Sequence, residues 1–193
     1  MPPEIKKELV IKDHFVKEIV KFTLIALAIV IPVRAYVAQP FIVSGASMNT
    51  TFENGQYLIV DQISYDLEAP ARGEVIIFRY PRDPKTFFIK RIIGLPGETV
   101  ESAKGVLTIK NSAHPEGFTL SEPYVQQDSR TYDDFTTTLG PTEYFVMGDN
   151  RAQSSDSRFW GPLDRKLIIG RPLLRLFPFD KAAIFPGRQA EAK

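Results

Sequence analysis

The sequence contains no cysteine, which excludes thiol nucleophiles, disulfide frameworks and cysteine-ligated zinc. Histidine is nearly as scarce. Of the two present, His14 precedes an apolar segment and His114 sits in a polar stretch, so no metal site is expected. Neither sign of charge is in excess: 24 Lys and Arg against 23 Asp and Glu give a formal net charge of +1, which offers no electrostatic footprint for nucleic acid. Beyond Pro40 there is also no long hydrophobic pattern of helical period. What is present is a chain of 193 residues with 44% hydrophobic content, enough for one globular domain and a short additional element.

That additional element precedes Pro40. Residues 22–33, FTLIALAIVIPV, carry no charge, but as a helix they cover only about 18 Å, short of a bilayer. Extension to residues 19–36 gives about 27 Å if Lys21 and Arg34 snorkel to the two interfaces. A single transmembrane anchor over residues 19–37 is therefore expected, after a short cytoplasmic segment of residues 1–18. Lys6, Lys7, Lys12, Lys17 and Lys21 come before it, and only Arg34 follows before Arg72, so the positive-inside rule puts the amino terminus in the cytoplasm and the remainder outside. The competing reading is a cleavable signal peptide. Ala26-Leu27-Ala28 has the small-x-small pattern of a processing site, but it lies inside the apolar run rather than after it.

Residues 38–187 carry short β-branched and aromatic runs separated by Gly, Pro, Asn and Asp, the signature of a mainly β domain. Strands are expected at 57–61, 74–79, 87–93, 98–101, 106–110, 143–147, 167–170 and 173–177. Residues 111–140, rich in Ser, Thr, Asp and Pro, read as a small variable surface excursion. Residues 188–193 read as a frayed tail.

Ser47, in the stretch SGASM, would be a nucleophile only if a nearby group removed its proton. His14 is expected on the other side of the membrane, and His114 lies in the excursion between Ala113 and Pro115. Carboxylates remain possible but are weak bases for an alcohol. A lysine serves if burial keeps it neutral. In TFFIKRIIGLPG, alternation puts Phe88 and Ile92 on the same strand face as Lys90, and Phe87, Ile89, Arg91 and Ile93 on the other. The remaining lysines of the domain have polar neighbours. Each residue also has a plain structural reading: Lys90 as a lysine guarding a sheet edge, and Ser47 as a turn serine beside glycine.

Four blocks in order, SGASM, NGQYLIVDQISY, RGEVIIFRYPRDPKTFFIKRIIGLPGETV and GDNRAQSSDSRFWGPL, resemble the bacterial type I signal peptidases. The resemblance implies an antiparallel-sheet catalytic fold behind one transmembrane helix. It further implies a single-pass serine endopeptidase of the cytoplasmic membrane, with its catalytic domain on the extracytoplasmic face. Its partners would be secretory preproteins and the lipid bilayer, with neither cofactor nor metal. By position, Ser47 matches the family's nucleophile, Lys90 its general base, and Ser154 a hydroxyl that hydrogen-bonds that base. Phe41, Val43, Ser44, Met48, Phe52, Phe88 and Ile89 are expected to bind substrate ending in an Ala-x-Ala-like sequence. Arg91, Asp149, Asp156 and Arg158 match positions that form structural salt bridges.

Three features depart from the family pattern. Thr50 stands where many members have proline. Gly45 occupies a position of oxyanion support where some members carry serine, which leaves the Ser47 backbone N–H as the surer donor. The interval between Lys90 and Gly148 is short, so the optional β domain is expected to be reduced to a flap. Two rival functions remain open: a self-cleaving repressor, for which no DNA-binding domain is visible, and a non-catalytic, membrane-tethered β domain that binds exported peptides.

Overall fold

The computed structural model describes residues 3–32, 38–130 and 133–189. The chain forms two compact units, residues 1–38 and residues 39–193. In the first, helix α1 runs Pro3–Pro32 and so begins well before the apolar stretch. Glu8 and Lys12, and Asp13 and Lys17, fall at the i,i+4 spacing that favours helix. Phe15, Val16, Ile19, Val20, Phe22, Leu24, Ile25, Leu27, Val30 and Ile31 are all exposed, and together they fall on every side of the helix. Among the described residues no helix is long and apolar enough to cross a membrane. The apolar part that ends at Pro32 covers about 21 Å, and residues 33–37 of the expected anchor lie outside the described residues.

The second unit is built from strands β1 Ala38–Ile42, β2 Tyr57–Asp61, β3 Val75–Tyr80, β4 Asp83–Gly94, β5 Thr99–Ala103 and β6 Val106–Lys110, followed by β7 Phe118–Thr119, β8 Phe135–Thr138, β9 Glu143–Met147, β10 Leu163–Asp164, β11 Ile168–Phe177 and β12 Ala183–Ile184. Two short helices, α2 Ser64–Leu67 and α3 Ser157–Trp160, join them. One sheet has the order β1-β2-β11-β3-β4-β9-β10, with β12 paired to β11; the other has the order β7-β6-β5-β8. The strand pairs of β2 to β11 and of the smaller sheet are antiparallel.

Strands β4 and β9 lie between two apolar clusters, one on each of their faces. Ile92 and Val146 enter one cluster with Ile76, Phe78, Tyr144 and Leu163. Ile93, Phe145 and Met147 enter a second, with Val100, Leu107, Ile109 and Leu139 from the smaller sheet. The two expected strands at 167–170 and 173–177 are one, β11, which passes Pro172 by a register shift between Pro172 and Leu174. Proline has no N–H to give the ladder, and the irregularity absorbs the loss.

Residues 111–140 are more than a surface excursion. They supply β7 and β8, the two edges of the smaller sheet, and Phe118 and Phe135 pack against its core. Glu122 and Val125 are buried as well.

Candidate active site

Ser47 lies in the turn after β1, and Lys90 lies in the stretch of β4 that pairs with Ile76 of β3. Lys90 Nζ is 2.6 Å from Ser47 Oγ and 2.9 Å from the carbonyl oxygen of Ile89. The lysine is 4% exposed, and its ammonium position lies 5.2 Å from the centre of the Phe88 ring. Burial pushes its pKa down to about 8, against the opposing attraction of Asp156 and Asp149. Among the described residues no carboxylate makes an ion pair with it. A buried amine with no counter-ion, within hydrogen-bond reach of a serine hydroxyl, can accept that hydroxyl's proton. His114, in contrast, is exposed in a turn beside Glu116, 3.7 Å away.

The segment that follows β9 packs beneath the serine. Asp149 accepts from Arg91 Nε at 2.8 Å and Nη2 at 2.6 Å, and from Thr51 Oγ1 at 2.5 Å, with both members of the ion pair fully buried. Arg91 also donates to the carbonyls of Gly73 and Gly187, and its guanidinium lies 4.0 Å from the Tyr124 ring centre. Asp156 caps α3, accepts from Gly148 N at 3.1 Å and pairs with Arg158 at 2.8 Å. Asp149 therefore spends its lone pairs on Arg91 and Thr51, and Asp156 on Arg158 and backbone N–H groups, rather than on Lys90.

One expectation is not met by this geometry. Ser154 is buried, but its hydroxyl has no hydrogen-bond partner, so the expected bond to Lys90 is not made. It packs instead against Gly148, where a Cβ would collide with Ser154 Oγ and with the Ser47 carbonyl oxygen. Gly45, at the position of oxyanion support, offers no side-chain hydroxyl, and its N–H is committed to Asn54 Oδ1 at 3.0 Å. Its φ of +94° explains why glycine stands there: a serine would be strained.

A groove of about 250 Å³ opens beside the serine and lysine. Phe41, Val43 and Ser44 line it from the β1 side, Phe88 and Ile89 from β4, with Leu58 and Ile77 also in its lining. Phe41 and Phe87 meet edge to face with ring centres 5.3 Å apart. β1 is an outer strand of its sheet, and β4 pairs with β9 only from Arg91 onward. Unpaired backbone is thus available on both sides of the groove.

Met48 and Phe52, expected to bind substrate, do not line it. They are 1% and 0% exposed and pack with Val43, Leu58 and Val75. Phe52 N donates to Met48 O at 2.8 Å, so the chain turns back on itself after Ser47 and carries both side chains into that cluster. Gln153 and Ser155, which sequence reasoning passed over, do line the groove. Their place inside the GDNRAQSSDSRFWGPL block was the only signal for them. Among the described residues no cluster of His, Asp and Glu is arranged to hold a metal ion.

The family described as signal peptidase, peptidase S26, matches residues 16–177. The "Probable signal peptidase I-1" of Synechocystis sp. is 36% identical over 175 residues, covering 87% of this chain and 86% of the relative. Signal peptidase I of Bacillus caldolyticus is 34% identical over 168 residues, covering 82% and 90% respectively. The crystal structure of a signal peptidase I from Enterococcus faecalis V583 aligns with a TM-score of 0.46 at 35% identity, covering 54% of this chain and 97% of that one. The chain belongs to the signal peptidase family, peptidase S26, and is a serine endopeptidase of the signal peptidase I type.

Proposed function

We propose that this peptidase removes signal peptides from exported preproteins after an Ala-x-Ala-like sequence, with Ser47 as nucleophile and neutral Lys90 as general base. The observation that carries the reading is the 2.6 Å approach of Lys90 Nζ to Ser47 Oγ at a site where burial disfavours the ammonium form. An extended substrate adds as a strand between the open backbone edges of β1 and β4. Lys90 takes the hydroxyl proton as Ser47 Oγ bonds to the scissile carbonyl carbon, and the Ser47 N–H donates to the developing oxyanion. Protonated Lys90 then gives its proton to the leaving amine as the C–N bond breaks, which leaves an acyl-enzyme. Water, deprotonated in turn by Lys90, releases the signal peptide and restores Ser47.

Val43, Phe88 and Ile89 offer an apolar surface that suits small side chains at the first and third positions before the cut. Replacing those alanines in a preprotein by leucine or phenylalanine is expected to abolish processing. Unchanged processing of the bulky substrate would contradict the assignment of the groove.

The membrane-bound state is part of the same proposal. Residues 1–18 form the cytoplasmic segment, residues 19–37 the anchor, and the peptidase domain lies outside. A helix exposing apolar side chains all round, as α1 does from Phe15 to Ile31, requires an apolar medium or a partner to cover it. The chain is expected to stay with the membrane fraction after alkaline carbonate extraction; release into the supernatant would contradict the anchor.

A further inference from the structure

We infer that Asn150 is a positioning residue for the reaction: by holding the Ala46 carbonyl from below, it aims the N–H of Ser47 at the place where the oxyanion forms. The inference rests on the acyl-transfer reading above and supplies a reason for the direction of its backbone donor.

The Ala46–Ser47 peptide is trans, so its carbonyl and its N–H point in opposite directions. Whatever fixes the carbonyl therefore fixes the N–H. The Ala46 oxygen accepts from Asn150 Nδ2 at 3.2 Å and from the backbone N–H of Asn49 at 3.1 Å. Asn150 also donates its own backbone N–H to the Ser47 carbonyl at 3.0 Å. One residue thus grips the carbonyls on both sides of the Ser47 Cα. The Ser47 N–H, turned away from that grip, has no hydrogen-bond partner among the described residues.

A post can aim a peptide plane only if it is itself immobile. Asn150 sits between Asp149, ion-paired to Arg91, and Arg151, which bonds the Gly148 carbonyl at 3.0 Å and pairs with Glu122. All four of those charged side chains are buried or nearly so. Gly148, one turn of the same loop away, abuts the Ser47 carbonyl so closely that a Cβ does not fit. The loop therefore cannot retreat without breaking two buried ion pairs.

The test uses full-length Asn150→Asp and Asn150→Ala. The aspartate variant keeps the shape but replaces the donor by an oxygen facing the Ala46 oxygen. Both are expected to lose about 10- to 100-fold in kcat, on the scale of a misdirected oxyanion donor, with KM for a preprotein changed less than about twofold. In Asn150→Ala the pH limb that reports Lys90 should not move, whereas the new carboxylate of Asn150→Asp adds to the attraction of Asp149 and Asp156 and raises it. A peptide aldehyde ending in Ala-x-alaninal, to whose carbonyl carbon Ser47 Oγ adds, should lose affinity by the same factor as kcat/KM, while the matching peptide amide binds as before.

Unchanged kcat, a loss confined to KM, or a Lys90 limb displaced in Asn150→Ala would each overturn the inference. So would unfolding of both variants by circular dichroism, because the residue would then be structural. Activity that survives Ser47→Ala would instead overturn the acyl-transfer reading itself.

Discussion

Cleavage of a preprotein is expected to stop when Lys90 is replaced by alanine, arginine or methionine, and equally when Ser47 is replaced by alanine. General-base assistance is worth about 10²- to 10⁴-fold, and among the described residues nothing else near Ser47 is built to supply it, since Asp149 and Asp156 are committed to Arg91 and Arg158. Arginine keeps the positive charge but cannot lose its proton in the working pH range, so it fails for a different reason than alanine does.

Methionine is the informative variant. The folded-state pKa of Lys90 lies below its ordinary value of 10.5, at about 8. The unfolded chain therefore binds more protons than the folded one between those two values, and stability rises with pH across that window. Below about pH 8 the folded protein bears the full cost of an ionised buried amine, roughly 3 kcal/mol at ~1.4 kcal/mol per pKa unit. Lys90→Met is accordingly expected to be inactive yet more stable than the parent at neutral pH, with the advantage shrinking above pH 8. An inactive variant that is also less stable at pH 7 would show that the amine is not destabilised by burial.

The second large effect concerns folding. Asp149→Ala is expected to cost about 3 to 5 kcal/mol, because it leaves the Arg91 guanidinium fully buried without a counter-charge. Carbonyl oxygens of Gly73 and Gly187 and the Tyr124 ring remain around that guanidinium, but none carries a formal charge. Removal of the carboxylate also frees Thr51, which joins the turn after Ser47 to the same acid. Replacing both members by apolar residues should cost much less than either single change. Urea titrations of the four proteins give the coupling directly. Additive losses would mean that the pair contributes nothing as a pair.

The sequence made the two reacting residues legible for a physical reason. A chain without cysteine, with two poorly placed histidines, has few bases to offer a serine, and only Lys90 lies among apolar neighbours on its own strand face. The β character of the domain was equally legible, and 57–61, 106–110 and 143–147 coincide with β2, β6 and β9. What escaped depends on contacts distant in sequence or on local turns that break alternation. Met48 and Phe52 look like groove residues if the chain stays extended after Ser47; the tight turn there sends them into the core. β7 and β8 are short and threonine-bearing, and they exist because β5 and β6 offer edges to them. The expected break between residues 170 and 173 is a bulge within one strand, at Pro172. That the Ser154 hydroxyl goes unpaired and that Asn54 holds the Gly45 N–H depend on the folded packing and not on local sequence.

The most direct test of the central claim, that neutral Lys90 activates Ser47, is the dependence of kcat/KM on pH for a preprotein or a signal-peptide substrate. This ratio reports ionisations of the free enzyme. The account predicts a rate that climbs about tenfold per pH unit at low pH and levels off above a single pKa near 8, as Lys90 gives up its proton. A profile that is flat across about pH 6 to 9, or one whose limb persists unchanged in residual activity of Lys90→Ala, would contradict it.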